Sequence, residues 1–238
     1  MKNPKKAWKG KRLLRVRAKR LLKGLPKKML NSLLRFFASK RLDDQNLTRV
    51  ILGLGNPGRR YQATRHNFGV MVLGDLLRRR HLTFLPGRGS FEGSRVSSPG
   101  GDVLLVRPTT FMNHSGRAAL EIRDRTGISA DRFLVLCDDL DLPLGRIRLK
   151  QGGGSGGHRG LESLIRELQS EDFLRLRIGI GRPPEGVEVS DYVLSAFDGE
   201  ELDRGRRIVE SAADAVEMFL AEGLEKTAMR FNPLMIES

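Results

Sequence analysis

Residues 50–67 read Val-Ile-Leu-Gly-Leu-Gly-Asn-Pro-Gly-Arg-Arg-Tyr-Gln-Ala-Thr-Arg-His-Asn. The stretch opens as an apolar strand, turns through glycines and a proline, and reaches a histidine beside an asparagine. Its small glycines let a backbone or a ligand approach closely, and the Asn-Pro step pushes Asn56 toward extended geometry. Residues 67–80 then carry Val70, Leu73, Leu76 and Leu77 at helical spacing. Strand, polar loop and amphipathic helix in succession are the opening unit of an α/β fold. A histidine held near an amide side chain at a strand end points to acid–base chemistry on a polar substrate.

Working outward, the same alternation continues. Residues 49–54 read as the first strand, and 91–96, 103–106, 133–137, 146–150 and 174–180 as further strands. Residues 115–125, 161–168 and about 200–221 read as helices, the last opening on Asp198 with Glu201 as a capping box. The expected architecture is one compact α/β domain over residues 47–238, a mixed and largely parallel twisted sheet covered by helices. Residues 1–46 form a separate basic extension, with one or two amphipathic helices broken near Gly24 and Pro26 and a linker at 43–46.

The charge divides the same way. The formal net charge is +15, yet residues 1–42 hold 16 of the 43 Lys and Arg and none of the 28 acids. The remaining chain, with 27 bases against 28 acids, is near neutral. A basic arm of this kind seeks phosphate, on the ribosome, another RNA or an anionic surface. A bland alternative is a solvated tail. The single cysteine, Cys137, lies in an apolar run and fits a buried thiol in a reducing compartment. No apolar run is long enough to span a bilayer. The expected location is the cytoplasm, with an organelle as the alternative if the arm were a transit peptide.

Four segments carry more special residues than loops need. They are residues 56–67, 108–116, the carboxylate turn 137–143, and the glycine stretch 152–160, Gly-Gly-Gly-Ser-Gly-Gly-His-Arg-Gly. Singly, each has a plain reading. Gly-Leu-Gly-Asn-Pro-Gly is a poor dinucleotide fingerprint, because a proline interrupts it and the next glycine after Gly58 is Gly69. The glycine stretch lacks the Lys-Ser/Thr ending of a phosphate-binding P-loop and fits a flexible loop equally well. Asp138, Asp139 and Asp141 suit a turn or a cation site. Taken together, strand-end loops bearing Asn, His and Asp are the composition of an active-site rim in an α/β protein.

In their order along the chain, these segments resemble bacterial-type peptidyl-tRNA hydrolase over about residues 49–231. The resemblance rests on the strand with Gly-Leu-Gly-Asn-Pro-Gly, Tyr61 and residues 64–67. It continues through residues 110–113 with Ser115-Gly116, Asp138 with residues 140–143, residues 156–158, and Arg175-Leu-Arg-Ile-Gly-Ile-Gly181. It implies hydrolysis of the ester joining a peptide to the tRNA 3′ ribose, which recycles tRNA. It also implies a monomer acting without metal or organic cofactor. By the same resemblance His66 is the catalytic base and Asp138 its partner, with Asn56 and Asn113 holding substrate and water. Tyr61, Asn67, Phe111, Met112, His158 and Arg159 fall at substrate positions, and Arg148, Lys150 and Arg177 at tRNA phosphate positions. Arg159 departs from the family, which carries asparagine there. Together with the arm, it motivates a second reading, a non-enzymatic RNA-binding or ribosome-associated relative.

The implied mechanism is general-base catalysis, with Asp138 fixing the His66 tautomer and amide donors facing the oxyanion. Independently of the resemblance, the alternation in residues 146–150 places Arg146, Arg148 and Lys150 on one strand face, within reach of phosphates. A solvated edge strand protected by its charges is the plain alternative.

Overall fold

The computed structural model describes residues 47–237. The arm helices and the linker expected before Leu47 lie outside the described residues. The elements follow the alternation read from the sequence. They are β1 (Leu47–Gly53), α1 (Phe68–Arg79), β2 (Leu85–Pro86), β3 (Phe91–Ser98), β4 (Gly101–Pro108), α2 (Gly116–Thr126), β5 (Phe133–Asp139), β6 (Ile147–Gln151), α3 (Arg159–Leu168), β7 (Leu174–Gly179), α4 (Val189–Leu194), α5 (Gly199–Glu222) and α6 (Leu224–Phe231).

The strands form one sheet in the order β2-β3-β4-β1-β5-β7-β6. It is mixed, as expected, with its parallel part at the centre, where β4, β1, β5 and β7 run together. Both edges are antiparallel, β2-β3-β4 on one side and β6 against β7 on the other. Successive residues of β1 alternate between two apolar layers. Ile51 packs under α1 and α5 with Phe68, Leu73, Ile208 and Val216. Val50 and Leu52 pack under α2 and α3 with Leu104, Ala118, Phe133 and Leu164. Helices on both faces of a parallel centre explain why β5 is buried from Phe133 to Asp138.

The first layer is tight because two glycines let backbones touch. A Cβ on Gly69 of α1 would lie 2.2 Å from the Leu136 carbonyl oxygen and 2.6 Å from the Leu54 nitrogen. A Cβ on Gly53 would in turn lie 2.4 Å from the Gly69 carbonyl. The start of α1 is thereby pressed onto the ends of β1 and β5, and this sets the height of the loop just before it. Parallel β4, β1 and β5 end on the same sheet edge, so the loops after them meet there.

Two helical segments carried no expectation: α4, and α6 near the C-terminus. The expected capping box at α5 is absent. Asp198 is the N-cap residue but makes no side-chain cap bond. The Glu201 carboxylate instead binds the Arg65 guanidinium. Arg146, expected with Arg148 and Lys150 on a phosphate-facing strand face, is committed elsewhere. It precedes β6, and its guanidinium donates to the Pro233 carbonyl at 2.8 Å.

Candidate active site

His66 lies in a short 3-10 turn, Arg65–Asn67, between the end of β1 and the start of α1. Its Nδ1 is 2.9 Å from both carboxylate oxygens of Asp138 at the end of β5. Asp138 is 3% exposed, and its Oδ1 has a second partner, His158 Nε2 at 3.0 Å. His158 caps α3, its Nδ1 accepting the Gly160 N–H at 3.0 Å and the Leu161 N–H at 3.3 Å.

These contacts determine where the protons sit. Two backbone N–H groups pointing at His158 Nδ1 require a lone pair there, so the ring proton is on Nε2 and is donated to Asp138. His158 is thus a neutral donor held by a helix N-terminus. Asp138, acceptor-only when ionised, also takes the Nδ1–H of His66, which leaves the Nε2 lone pair of His66 for the cleft. Burial alone would raise the Asp138 pKa. Electrostatic attraction to the His66 and His158 imidazoles, together with their hydrogen bonds, overrides it and holds the carboxyl well below the usual carboxylate range.

His66, Asp138 and His158 present possible metal-ligating atoms within 4.8 Å of one another. The donor set does not suit an ion. His158 could ligate through Nε2 only by moving its proton to Nδ1, against the two N–H groups of α3. The other carboxylates of the turn serve separate partners: Asp139 binds Arg177, and Asp141 binds Arg182. Cys137 is fully buried, and burial first, then the neighbouring Asp138 and Asp139, push its thiol pKa far up. It is no nucleophile.

Asn56 sits opposite, on the loop after β1. Its Oδ1 accepts the Met112 N–H at 2.9 Å, which orients the amide and keeps Nδ2 as a donor for a ligand. Asn67, expected at the substrate, has a different place. It is 2% exposed and grips the Asn56 backbone on both sides. Its Oδ1 accepts the Asn56 N–H at 2.8 Å, and its Nδ2 donates to the Asn56 carbonyl at 3.0 Å. Asn67 therefore positions Asn56 and does not line the cleft. Asn113 is exposed at the cleft, its Nδ2 3.3 Å from His114 Nε2.

These groups open into one cleft of about 830 Å³, which Asn56, Tyr61, His66, Phe111, Met112, Asn113, Asp138, His158 and Arg159 all help to line. Tyr61 and Phe111 meet edge to face, with centroids 6.4 Å apart, and Phe111 is 53% exposed. The facing wall is α4, with Val189, Val193 and Leu194 turned to the cleft.

The glycine stretch is shaped, not slack. Gly152, Gly153, Gly156 and Gly157 all have positive φ, which other residues rarely adopt. It leaves the sheet beside Phe173, crosses the sheet face, and delivers His158 to Asp138. Buried Arg175 holds it by binding the Gly153 and Gly154 carbonyls. Arg175 was not assigned a role from the sequence. Its alternation with leucines in β7 is the one signal that a charge sits on an inner face. Arg177, paired across the ladder with Arg148, is tied to Asp139, and that hydrogen bond raises its pKa. Lys150 pairs in register with Arg175. Lys150 and Arg159, at the two ends of the glycine stretch, have no hydrogen bond or carboxylate partner among the described residues.

Arg65 was also missed. It is 6% exposed, and its guanidinium lies 4.7 Å from the Tyr192 ring centre and 4.6 Å from that of Phe197. It donates to Ser195 Oγ at 2.7 Å and to the Ala196 carbonyl at 2.8 Å. The residue before His66 is thus bolted to the segment that follows α4. Nothing in residues 188–197 marks them as its receptor.

A model of the peptidyl-tRNA hydrolase family matches residues 50–238. The peptidyl-tRNA hydrolase of Solidesulfovibrio magneticus is 49% identical over 196 residues, covering 77% of this chain and 92% of that protein. Peptidyl-tRNA hydrolase 2 of Corynebacterium glutamicum is 48% identical over 178 residues, covering 74% and 83%. A crystal structure of peptidyl-tRNA hydrolase from Acinetobacter baumannii superposes with a TM-score of 0.74 at 32% identity, covering 82% of this chain and 100% of that one. With the histidine, its buried carboxylate and the clamped asparagine set at the ends of the central parallel strands, the chain belongs to the peptidyl-tRNA hydrolase family.

Proposed function

We propose that this chain hydrolyses the ester between the peptide and the 3′ ribose of peptidyl-tRNA, with His66 as general base on water. The observation that carries the reading is the His66–Asp138 contact at 2.9 Å within a cleft that also holds the Asn56 amide. His66 Nε2 takes a proton from water as the oxygen attacks the ester carbonyl. Asp138 keeps the proton of Nδ1 in place and stabilises the imidazolium that forms. Asn56 Nδ2 donates to the substrate oxygen that gains charge. As the bond from carbonyl carbon to ribose oxygen breaks, the imidazolium returns its proton to that oxygen. The products are a free peptide carboxyl and a tRNA 3′ hydroxyl.

His158 serves this chemistry through Asp138 as a fixed donor. The exposed Val189 and Leu194, 47% and 39% accessible, suit the acyl and peptide part. Arg148 and Lys150 suit tRNA phosphates, since Arg148 is exposed and Lys150 half-buried on the edge strand β6. Arg177 is less free, its Nε being held by Asp139. The basic arm adds RNA or ribosome affinity through its 16 cations. The protein acts in the cytoplasm as a monomer. Among the described residues no helix is long and apolar enough to cross a membrane.

The test is hydrolysis of an N-blocked aminoacyl-tRNA by His66→Ala, with tRNA binding measured in parallel. The expected result is a loss of about 10²–10⁴-fold in kcat with binding retained. Turnover at the wild-type rate would overturn the assignment.

A further inference from the structure

The cations of the cleft fall into two sets. Arg175, Arg177 and Arg182 each hold an internal partner, on carbonyls, Asp139 and Asp141 respectively. Lys150 and Arg159 hold none among the described residues. Arg159 also lines an adjoining hollow of about 430 Å³, together with Asn113, His114, Glu162 and Arg166. Arg159, Glu162 and Arg166 follow one face of α3 at spacings of three and four residues. Arg166 is tied only to its neighbour Glu167, at 3.2 Å, and remains 57% exposed. With Arg166 bound to Glu167, the unpaired charges among the described residues lining the hollow are the Arg159 guanidinium and the Glu162 carboxylate.

The position of Arg159 is unfavourable for a cation without a ligand. It is the first residue of α3, where the helix dipole favours negative charge. An anion held there would pair with the guanidinium and face the positive end of the helix dipole. The preceding residue, His158, touches Asp138, so the anion would lie one residue beyond the reacting centre. The α4 wall presents Val189, Val193 and Leu194 beside Glu188 and Ser190, and the α3 side carries Arg159 and the Asn113 amide. An ester with an acyl group on one side and a nucleotide on the other fits that division.

We infer that Arg159, with Arg166 behind it, forms a phosphate subsite for the phosphodiester of the tRNA 3′ strand nearest the scissile ester. The inference rests on the hydrolase reading above and adds where the terminal nucleotide lies. Glu162 opposes the phosphate and sets a ceiling on its affinity.

The test compares N-acetylaminoacyl-tRNA with the N-acetylaminoacyl ester of adenosine, which has no phosphate. Both are assayed with the full chain, and binding of uncharged tRNA is followed across a salt series. Arg159→Ala should lower the ratio of kcat/KM for tRNA ester over nucleoside ester about 10-fold. It should also reduce the slope of log Kd against log salt by about 0.7, the value for one single-stranded phosphate. Arg159→Lys should keep the slope, and Glu162→Gln should raise the ratio. An unchanged ratio and slope in Arg159→Ala would overturn the subsite. Equal losses on both esters would overturn it too, by placing Arg159 on the peptide or ester instead. If the wild-type chain cleaves neither ester, the hydrolase reading fails. The slope of tRNA binding still judges the subsite, supporting it if reduced and overturning it if unchanged.

Discussion

At the floor of the cleft, Asn67 holds both backbone groups of Asn56, and Asp138 accepts from two imidazoles. His158 Nδ1 accepts from two backbone amides. At the rim, Lys150 and Arg159 have no partner among the described residues, and Phe111, Val189 and Leu194 stand exposed. The floor is saturated with internal hydrogen bonds, and the rim is left for a ligand to complete. A reacting group must be held in one tautomer and one orientation before substrate arrives. A phosphate or a peptide of varying sequence is better met by long, adaptable side chains. Changes at the floor should therefore act on kcat, and changes at the rim on KM and salt dependence.

The sharpest break of that division is Asp138→Asn. The amide cannot hold the His66 tautomer as a carboxylate does, and kcat should fall by roughly 10²–10⁴-fold with little change in tRNA affinity. A fall in affinity of the same size would place Asp138 at the substrate. The same variant has a stability signature. The folded-state pKa of Asp138 lies below that of an unfolded aspartate. Its stabilisation is therefore complete above the unfolded value of about 3.9 and is lost as pH falls toward the folded value. Denaturant curves should show the gap between wild type and Asp138→Asn narrowing as the pH drops below about 4. A gap that widens on acidification would contradict the assigned direction.

Smaller effects follow from the supports. Asn67→Ala frees the Asn56 backbone and leaves two polar groups without partners. It should destabilise the fold by about 1–3 kcal/mol and lower kcat about tenfold. A change in KM alone would return Asn67 to the substrate. Smallest in catalytic terms is the pair Arg148→Ala with Lys150→Ala. The affinity for tRNA should weaken, and the salt slope should flatten by about 0.7–0.9 for each phosphate no longer neutralised. An intact slope would make this a solvated edge strand.

How much of this could be read from the chain varies with how local the signal is. The strands and helices that pack on the central sheet were visible because their apolar periods are set by burial on a neighbouring face, as in residues 49–54 and 67–80. His66, Asp138 and Asn56 stood out because polar residues clustered at strand ends have little structural reason to be there. Asn67 was found but misplaced, and His158 was found at the cleft without its bond to Asp138. Sequence order shows that an amide or an imidazole is near the site, not which atom it faces. Arg65 was illegible for a related reason. Its receptor is assembled from Tyr192, Ser195, Ala196, Phe197 and Glu201, more than a hundred residues away. The same contact took Glu201 away from the expected capping box, since a buried guanidinium outcompetes a solvated helix start. The six residues of α4 give too short a period to register as a helix.

The chemistry depends on two rings of opposite tautomer flanking one carboxylate, and ring-nitrogen NMR reads this directly. The chain has four histidines, so nitrogen-labelled histidine with His66→Gln and His158→Gln controls assigns the two that matter. The expected spectrum has the proton on Nε2 of His158 and on Nδ1 of His66, with the lone pair of His66 on Nε2. A proton on Nε2 of His66, or one on Nδ1 of His158, would contradict it.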